Sequence, residues 1–319
     1  MDHDAWLWGV FGALVVVMMT LDLGVFHRRA RAIGFKEAAT WSVVWIGLAV
    51  AFGGLIARVR GTHSALEFLT GYIIEESLSV DNLFVFLLIF SYFAVPARHQ
   101  HNVLFWGILG AMAFRAVFIV AGVALIERFE WVIYAFSTIL IASGVKMSLE
   151  KGKRIRPEQN PILKLFRRLM PVTQGYDGSR FFLRQGGRTF ATPLLLVLVV
   201  VETTDLIFAV DSIPAVLAIT QDRLIVYTSN ILAVMGLRAM YFALQGTMDH
   251  FHLLHYGLSV ILVFVGVKML IGHFCEIPTG VTLGVVAVVL VLSVIASLIW
   301  PDKLQSDHPP TESACNRRS

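Results

Sequence analysis

Charge is scarce in this sequence. Only 15% of its 319 residues are Asp, Glu, Lys or Arg, against about a quarter in soluble domains. With 57% hydrophobic residues and a mean hydropathy of +0.73, a solvated globular domain is excluded and an integral membrane protein is left. Cysteine is nearly absent: Cys275 and Cys315 stand apart from each other and from other soft ligands. That excludes a disulfide framework and a thiolate metal site, and it leaves the redox compartment open. No GxxxxGK[ST], HExxH or GxSxG occurs, so nothing marks an ATPase, a metalloprotease or a serine hydrolase, and no enzyme is expected.

Apolar runs, by contrast, are abundant. Stretches near the roughly 20 residues that cross a bilayer are centred on 6–26, 38–57, 68–94, 103–126, 131–149, 191–217, 225–246, 253–272 and 280–300. Backbone groups in lipid must be satisfied within each segment, and these runs are too long for barrel strands. The expected fold is therefore all-α and polytopic, with about nine transmembrane helices. MDHDAW before the first run is acidic and HRRARA after it is basic, a signal-anchor pattern rather than a cleaved leader.

Placing the N-terminus outside and the C-terminus in the cytoplasm puts 18 basic residues on the cytoplasmic side, ten of them between Lys151 and Arg188. Four lie outside: Arg58, Arg60, Arg128 and Arg223. The pI near 9.2 thus reflects topology, with the lipid bilayer as partner, and no nucleic-acid module is present.

Two runs break the apolar rule in the same way. LTGYIIEESLSVDNLFVFLLIFSYF carries Glu75, Glu76 and Asp81, and VVVETTDLIFAVDSIPAVLAIT carries Glu202, Asp205 and Asp211. Aligning SVDN with AVDS places Glu75 on Asp205. The next helices follow, with GILGAMAFRAVF on NILAVMGLRAMY (Arg115 on Arg238) and VIYAFSTILIASGVKM on LHYGLSVILVFVGVKM (Lys146 on Lys268). Three matched segments in one order make a duplicated three-helix unit. Each unit has an odd number of spans, so the second runs through the membrane opposite to the first, giving two inverted-topology repeats.

A carboxylate near the bilayer centre costs a few kcal/mol, so each intramembrane acid is a functional candidate. A buried ion pair with Arg115 or Arg238 is the competing reading, and both can hold together. On a straight helix Glu75 and Asp81 stand roughly 120° apart, as do Asp205 and Asp211. Either these helices are buried on several sides, or the backbone unwinds to let the acids converge. Ser77, Ser79, Asn82 and Pro214 favour a broken helix. Carboxylate, amide, hydroxyl and carbonyl donors suit Mg²⁺, Ca²⁺ or Mn²⁺ and disfavour copper(I). If the six acids and Arg115, Arg238, Lys146 and Lys268 gather together, a net charge of about −2 remains for a divalent cation to balance. Glu76 and Glu202 weigh less in that sum, because their repeat counterparts are Leu206 and Tyr72. The histidines of DHFHLLH (249–255), with His99 and His101, read as solvated turn residues, and Asp22 as an interfacial group.

TGYIIEESLSVDNLFVF, ETTDLIFAVDSIPAV, the GLRAMYF region and GVKM resemble the TerC family, especially its bacterial Alx-like branch, over roughly residues 5–300. That family is named for a tellurium-resistance operon and lies within the LysE-like transporter superfamily. The resemblance implies export of Mn²⁺ across the bacterial inner membrane, with Glu75, Asp81, Asn82, Glu202, Asp205, Asp211 and Ser212 on the metal pathway. No permanent cofactor is expected, Mn²⁺ being the substrate and protons the counter-ion. The alternatives are an amino-acid or tellurium-oxyanion exporter with Arg115 and Arg238 as anion binders, and a membrane scaffold or metallation partner for exported proteins. The expected organisation is two N-terminal helices (1–64), repeat 1 (65–149), a basic cytoplasmic loop (150–189), repeat 2 (190–273), a last helix (274–300) and a cytoplasmic tail (301–319).

Overall fold

Each of the nine apolar runs is a helix in the computed structural model, which describes residues 2–27, 35–149, most of 163–185, 187–245, 253–272 and 277–299. In chain order they are α1 (Asp2–His27), α2 (Phe35–Arg60), α3 (Thr62–Tyr92), α4 (Ala97–Arg128), α5 (Trp131–Leu149), α6 (Pro193–Leu217), α7 (Arg223–Leu244), α8 (Leu254–Ile271) and α9 (Thr279–Ile299). Seven of them are long and apolar enough to cross a membrane. α1 holds a shorter apolar run, Ala5–Leu21, and α3 is set apart by Glu67, Glu75, Glu76 and Asp81 along its length. The fold is that of an all-α polytopic membrane protein. An antiparallel hairpin, β1 (Phe182–Gln185) and β2 (Arg188–Ala191), joins α5 to α6.

Short connections set the helix order. Gly61 turns α2 into α3 with φ 92°, in the left-handed region that a residue without Cβ enters freely. Ala94 takes φ 48° at the end of α3, Val95 N–H donates to Phe90 O at 2.9 Å, and Pro96 starts α4. Asp222 caps α7, its Oδ1 accepting from Leu224 N (2.9 Å) and Ile225 N (3.2 Å).

The duplicated units interlock. α3 packs mainly on α7, α4 on α6, and α5 on α8, with further contacts of α3 on α6 and α4 on α7. Exchanging the two units leaves this set unchanged, as a pseudo-two-fold axis requires. Directions agree with inversion. On α5 and α8, a Cβ on Gly144 would lie 2.8 Å from Ser259 O and 3.1 Å from Leu262 Cβ, while one on Gly266 would lie 3.0 Å from Ser137 O and from Leu140 Cβ. These residues are repeat mates, and rising numbers on one helix meet falling numbers on the other, so equivalent helices run antiparallel. Along α3 and α7, Gly71 meets Ser229 and Gly236 meets Glu76, so those two run parallel.

α1 and α2 lie over α7, and α9 covers α3 and α8. Two apolar cores result. One runs from Leu7 and Phe52 through Phe68 and Phe90 to Tyr241; the other joins Ile74, Ile119, Leu140, Ile213 and Val265.

The expected break in the acidic helices does not occur: α3 and α6 are continuous. Their hydroxyls bond back one turn instead of opening the backbone. Ser77 Oγ donates to Ile73 O (2.5 Å), Thr203 Oγ1 to Val199 O (2.6 Å) and Thr204 Oγ1 to Val200 O (2.7 Å). Pro214 sits in the last turn of α6, where one lost N–H costs little continuity. The other alternative holds, because both helices are central and buried on several sides. Cys275, Cys315, Asp249, His250 and His252, residues 151–162 of the basic loop and the tail lie outside the described residues, as do the side chains of Asp22 and Asp81.

Candidate functional site

α4 has one buried stripe, Val103, Gly107, Ala111, Arg115, Ile119, Gly122 and Ile126, spaced at three and four residues, and Arg115 is its only charge. The stripe turns Arg115 toward α3, α6 and α7, where it is 0% exposed. Its guanidinium forms a fork on Asp205, with Nε to Oδ2 at 3.2 Å and Nη2 to Oδ1 at 3.1 Å. Nη1 bonds Glu75 Oε1 and also reaches Asn230 Oδ1 at 3.1 Å and Ser212 Oγ at 3.5 Å. Asn230 Nδ2 donates to Glu75 Oε2 at 2.8 Å, which closes the network.

Glu75 and Asp205 are the matched acids of the two inverted units, so the duplication brings one carboxylate from each side onto a single cation. With both acids ionised the triad carries one net negative charge. Breaking such a buried cluster from one side strands the remaining charges, at a cost of about 3–5 kcal/mol.

The remaining candidates surround this centre unevenly. Ser212 belongs to it. Asn82, 2% exposed on α3, has a buried Nδ2 without a partner among the described residues, and so does Ser79 Oγ. Asp211 accepts from Ser143 Oγ of α5 at 2.6 Å. Glu202 leans on α4, its carboxylate filling the place where a Cβ on Gly110 would stand, with Oε2 buried and without a partner among the described residues. Arg238 is 1% exposed on α7.

Among the described residues, neither lysine is bonded to Glu75 or Asp205. Lys146 is exposed on α5 beside a surface groove lined by Thr138, Ile141, Val145 and Leu149, and Lys268 interacts with Glu67 near the start of α3. Among the described residues, Arg115 is the cation paired with Glu75 and Asp205. Among the described residues no three His, Cys, Asp or Glu side chains form a ready metal cage. The centre is a cluster of hard oxygen donors already occupied by an internal cation.

Two residues count for more than their sequence pattern indicates. Asn230 aligns with Gly107, so the repeat hides it, and the only signal is an amide inside an apolar run. Glu76 aligns with Leu206, yet both its carboxylate oxygens are buried and find no partner within hydrogen-bond geometry among the described residues, Oε1 lying 3.5 Å from where Gly236 would carry a Cβ.

Residues 60–305 match the model of the integral membrane protein TerC family. The chain belongs to the TerC family. An uncharacterised membrane protein of Myxococcus xanthus is 50% identical over 97% of this chain and 95% of its own. The Escherichia coli K12 protein named "putative membrane-bound redox modulator Alx" is 47% identical, over 91% of this chain and 93% of its own. A Rickettsia bellii membrane protein is 39% identical, over 92% and 97%. No solved structure matches this TerC-family chain.

Proposed function

We propose that the protein is a secondary carrier that exports divalent manganese from the cytoplasm across the bacterial inner membrane, with protons as counter-ion. One observation carries the reading: repeat-related acids from oppositely running units converge on one buried cationic group, where inverted-repeat carriers hold their cargo. Arg115 is the cation of the empty carrier. A divalent ion competing for Glu75 and Asp205 takes its place, with Asp81, Asn82, Glu202, Asp211 and Ser212 supplying further oxygens along the path. Manganese suits such donors and is itself redox-active, which accords with the word redox in the name of the Alx relatives.

Each helix of a unit is held chiefly by helices of the other unit. That packing favours motion of the cross-unit pairs α3 with α7 and α4 with α6, which the pseudo-two-fold axis exchanges, over rocking of whole units. Arg115 bridges them, joining Asp205 within its own pair to Glu75 and Asn230 in the other.

The oxyanion and amino-acid readings need arginines open to an anion, and Arg115 spends its donors on Glu75, Asp205 and Asn230. The scaffold reading rests on the basic segment between α5 and α6, part of which folds back on the protein.

Uptake of Mn²⁺, Ca²⁺, Mg²⁺ and Zn²⁺ into proteoliposomes across a pH gradient tests the proposal. Manganese flux is expected, and it should be lost in Asp81→Asn and Asp211→Asn while both proteins insert normally. Normal flux in both variants, or movement of an anion with no metal flux, overturns the assignment.

A further inference from the structure

Between α5 and α6 the chain builds a small basic module at the membrane edge, and the geometry points to anionic phospholipid headgroups as its ligand. Phe182 pairs with Ala191, and Arg184 with Thr189, so these four side chains share one face of the hairpin. On that face Phe182 is 54% exposed, and Arg184 and Thr189 are exposed too, while Ala191 at its end beside α6 is buried. The other face holds Leu183 and Phe190, both partly buried, with Arg188 exposed at its end. Arg168 and Leu165, earlier in the same connection, are exposed as well. An aromatic and an arginine side by side on an open strand face suit a surface that is apolar below and anionic above.

Position is fixed independently. β2 ends at Ala191 and α6 begins at Pro193, so the hairpin stands where a membrane helix starts. Phe181 meets Trp106 edge to face at 6.5 Å, and Trp106, 52% exposed on α4, is of the residue type that settles at the headgroup level. Charge complementarity selects the occupant. Lipid phosphates lie within reach at that level, and each basic residue near an anionic bilayer gains a useful fraction of its binding from the surface potential.

The module is also clamped to the transport helices. Tyr176 Oη donates to Phe93 O at 2.7 Å, Ser179 Oγ lies 3.3 Å from His99 Nδ1, and Thr192 Oγ1 donates to Arg180 O at 2.8 Å. Headgroup binding would therefore bear on the α3–α4 turn and the start of α6, the two helices that carry the acidic motifs. The lipid assignment stands whether or not the cargo is manganese.

Hydrogen exchange of amides 180–191 is to be measured on the full chain in nanodiscs, one copy per disc. One set is phosphatidylcholine alone and the other equal parts phosphatidylcholine and phosphatidylglycerol. Exchange should be slower in the anionic discs, and Arg184→Gln and Arg188→Gln should each remove about fivefold of that protection. Equal exchange in both lipids overturns the proposal, as does lipid-dependent protection that survives the double variant. Protection reproduced in phosphatidylcholine discs by added inorganic phosphate makes this a general anion site and overturns the lipid assignment. Protection appearing only with two copies per disc assigns the face to self-association and overturns it as well.

Discussion

α4 and α7 carry matching sequences, GILGAMAFRAVF and NILAVMGLRAMY, and sit in different surroundings. α4 buries a single stripe and shows Trp106, Phe114, Val117, Phe118 and Val120 outward. On α7, Leu224–Val226 and Thr228–Ala239 are all buried, because α1 and α2 cover the side that α4 leaves to lipid. The repeat sets which helices meet, and the added helices set which of them lies inside. A two-fold site need not be symmetric in use. Gly107 on α4 corresponds to Asn230 on α7, and only the latter reaches Glu75.

Removing the shared cation should have the largest effect. Arg115→Leu leaves Glu75 and Asp205 facing each other without compensation, a loss of about 3–5 kcal/mol. Little monodisperse protein should survive detergent extraction, and heating followed by size-exclusion chromatography measures the deficit. Glu75→Gln with Asp205→Asn in the same background should recover most of it, since neutral amides need no counter-charge. Failure of that rescue would mean that Arg115 supports the fold through packing rather than charge.

Next in size is the α5–α8 crossing, where the two units are most alike. Gly144→Leu and Gly266→Leu each force a side chain into the facing backbone, at about 1–3 kcal/mol. Because the two contacts are repeat mates, the losses in melting temperature should be nearly equal. A large inequality would show that the pseudo-symmetry of this crossing is only geometric.

Much of this was legible before any coordinates. Offsets of 130, 123 and 122 between the matched segments lead to two units of opposite direction, because charged residues in lipid are too costly to align by accident, whereas the interlocking of those units comes only from the packing. The continuity of α3 and α6 was not legible. Ser77, Thr203 and Thr204 can open a helix or bond back along it, and only the surrounding helices decide which. Lys146 and Lys268 mark repeat equivalence without sharing a site, since antiparallel equivalents place their ends on opposite faces of the membrane. Asn230 and Glu76 escaped because both are places where the copies diverged, and a search for matched residues discounts such positions.

The smallest effects concern the way each helix begins. α7 opens with Asp222, which caps two N–H groups and holds Arg60 Nη1 at 2.5 Å, whereas α4 opens at Pro96 with no side-chain cap. Asp222→Ala should cost about 1 kcal/mol through the cap. By contrast, Arg223 pairs with Glu127 at 2.9 Å with both side chains more than half exposed, so Arg223→Gln should cost about 0.2–1 kcal/mol. Salt separates the two contributions. Raising ionic strength screens the exposed pair and should erase the Arg223→Gln difference in melting temperature, while the Asp222→Ala difference persists because its cap bonds are local to the backbone. If both differences vanish together, Asp222 acts mainly through Arg60, and the better-capped start of α7 is an ion pair rather than a helix cap.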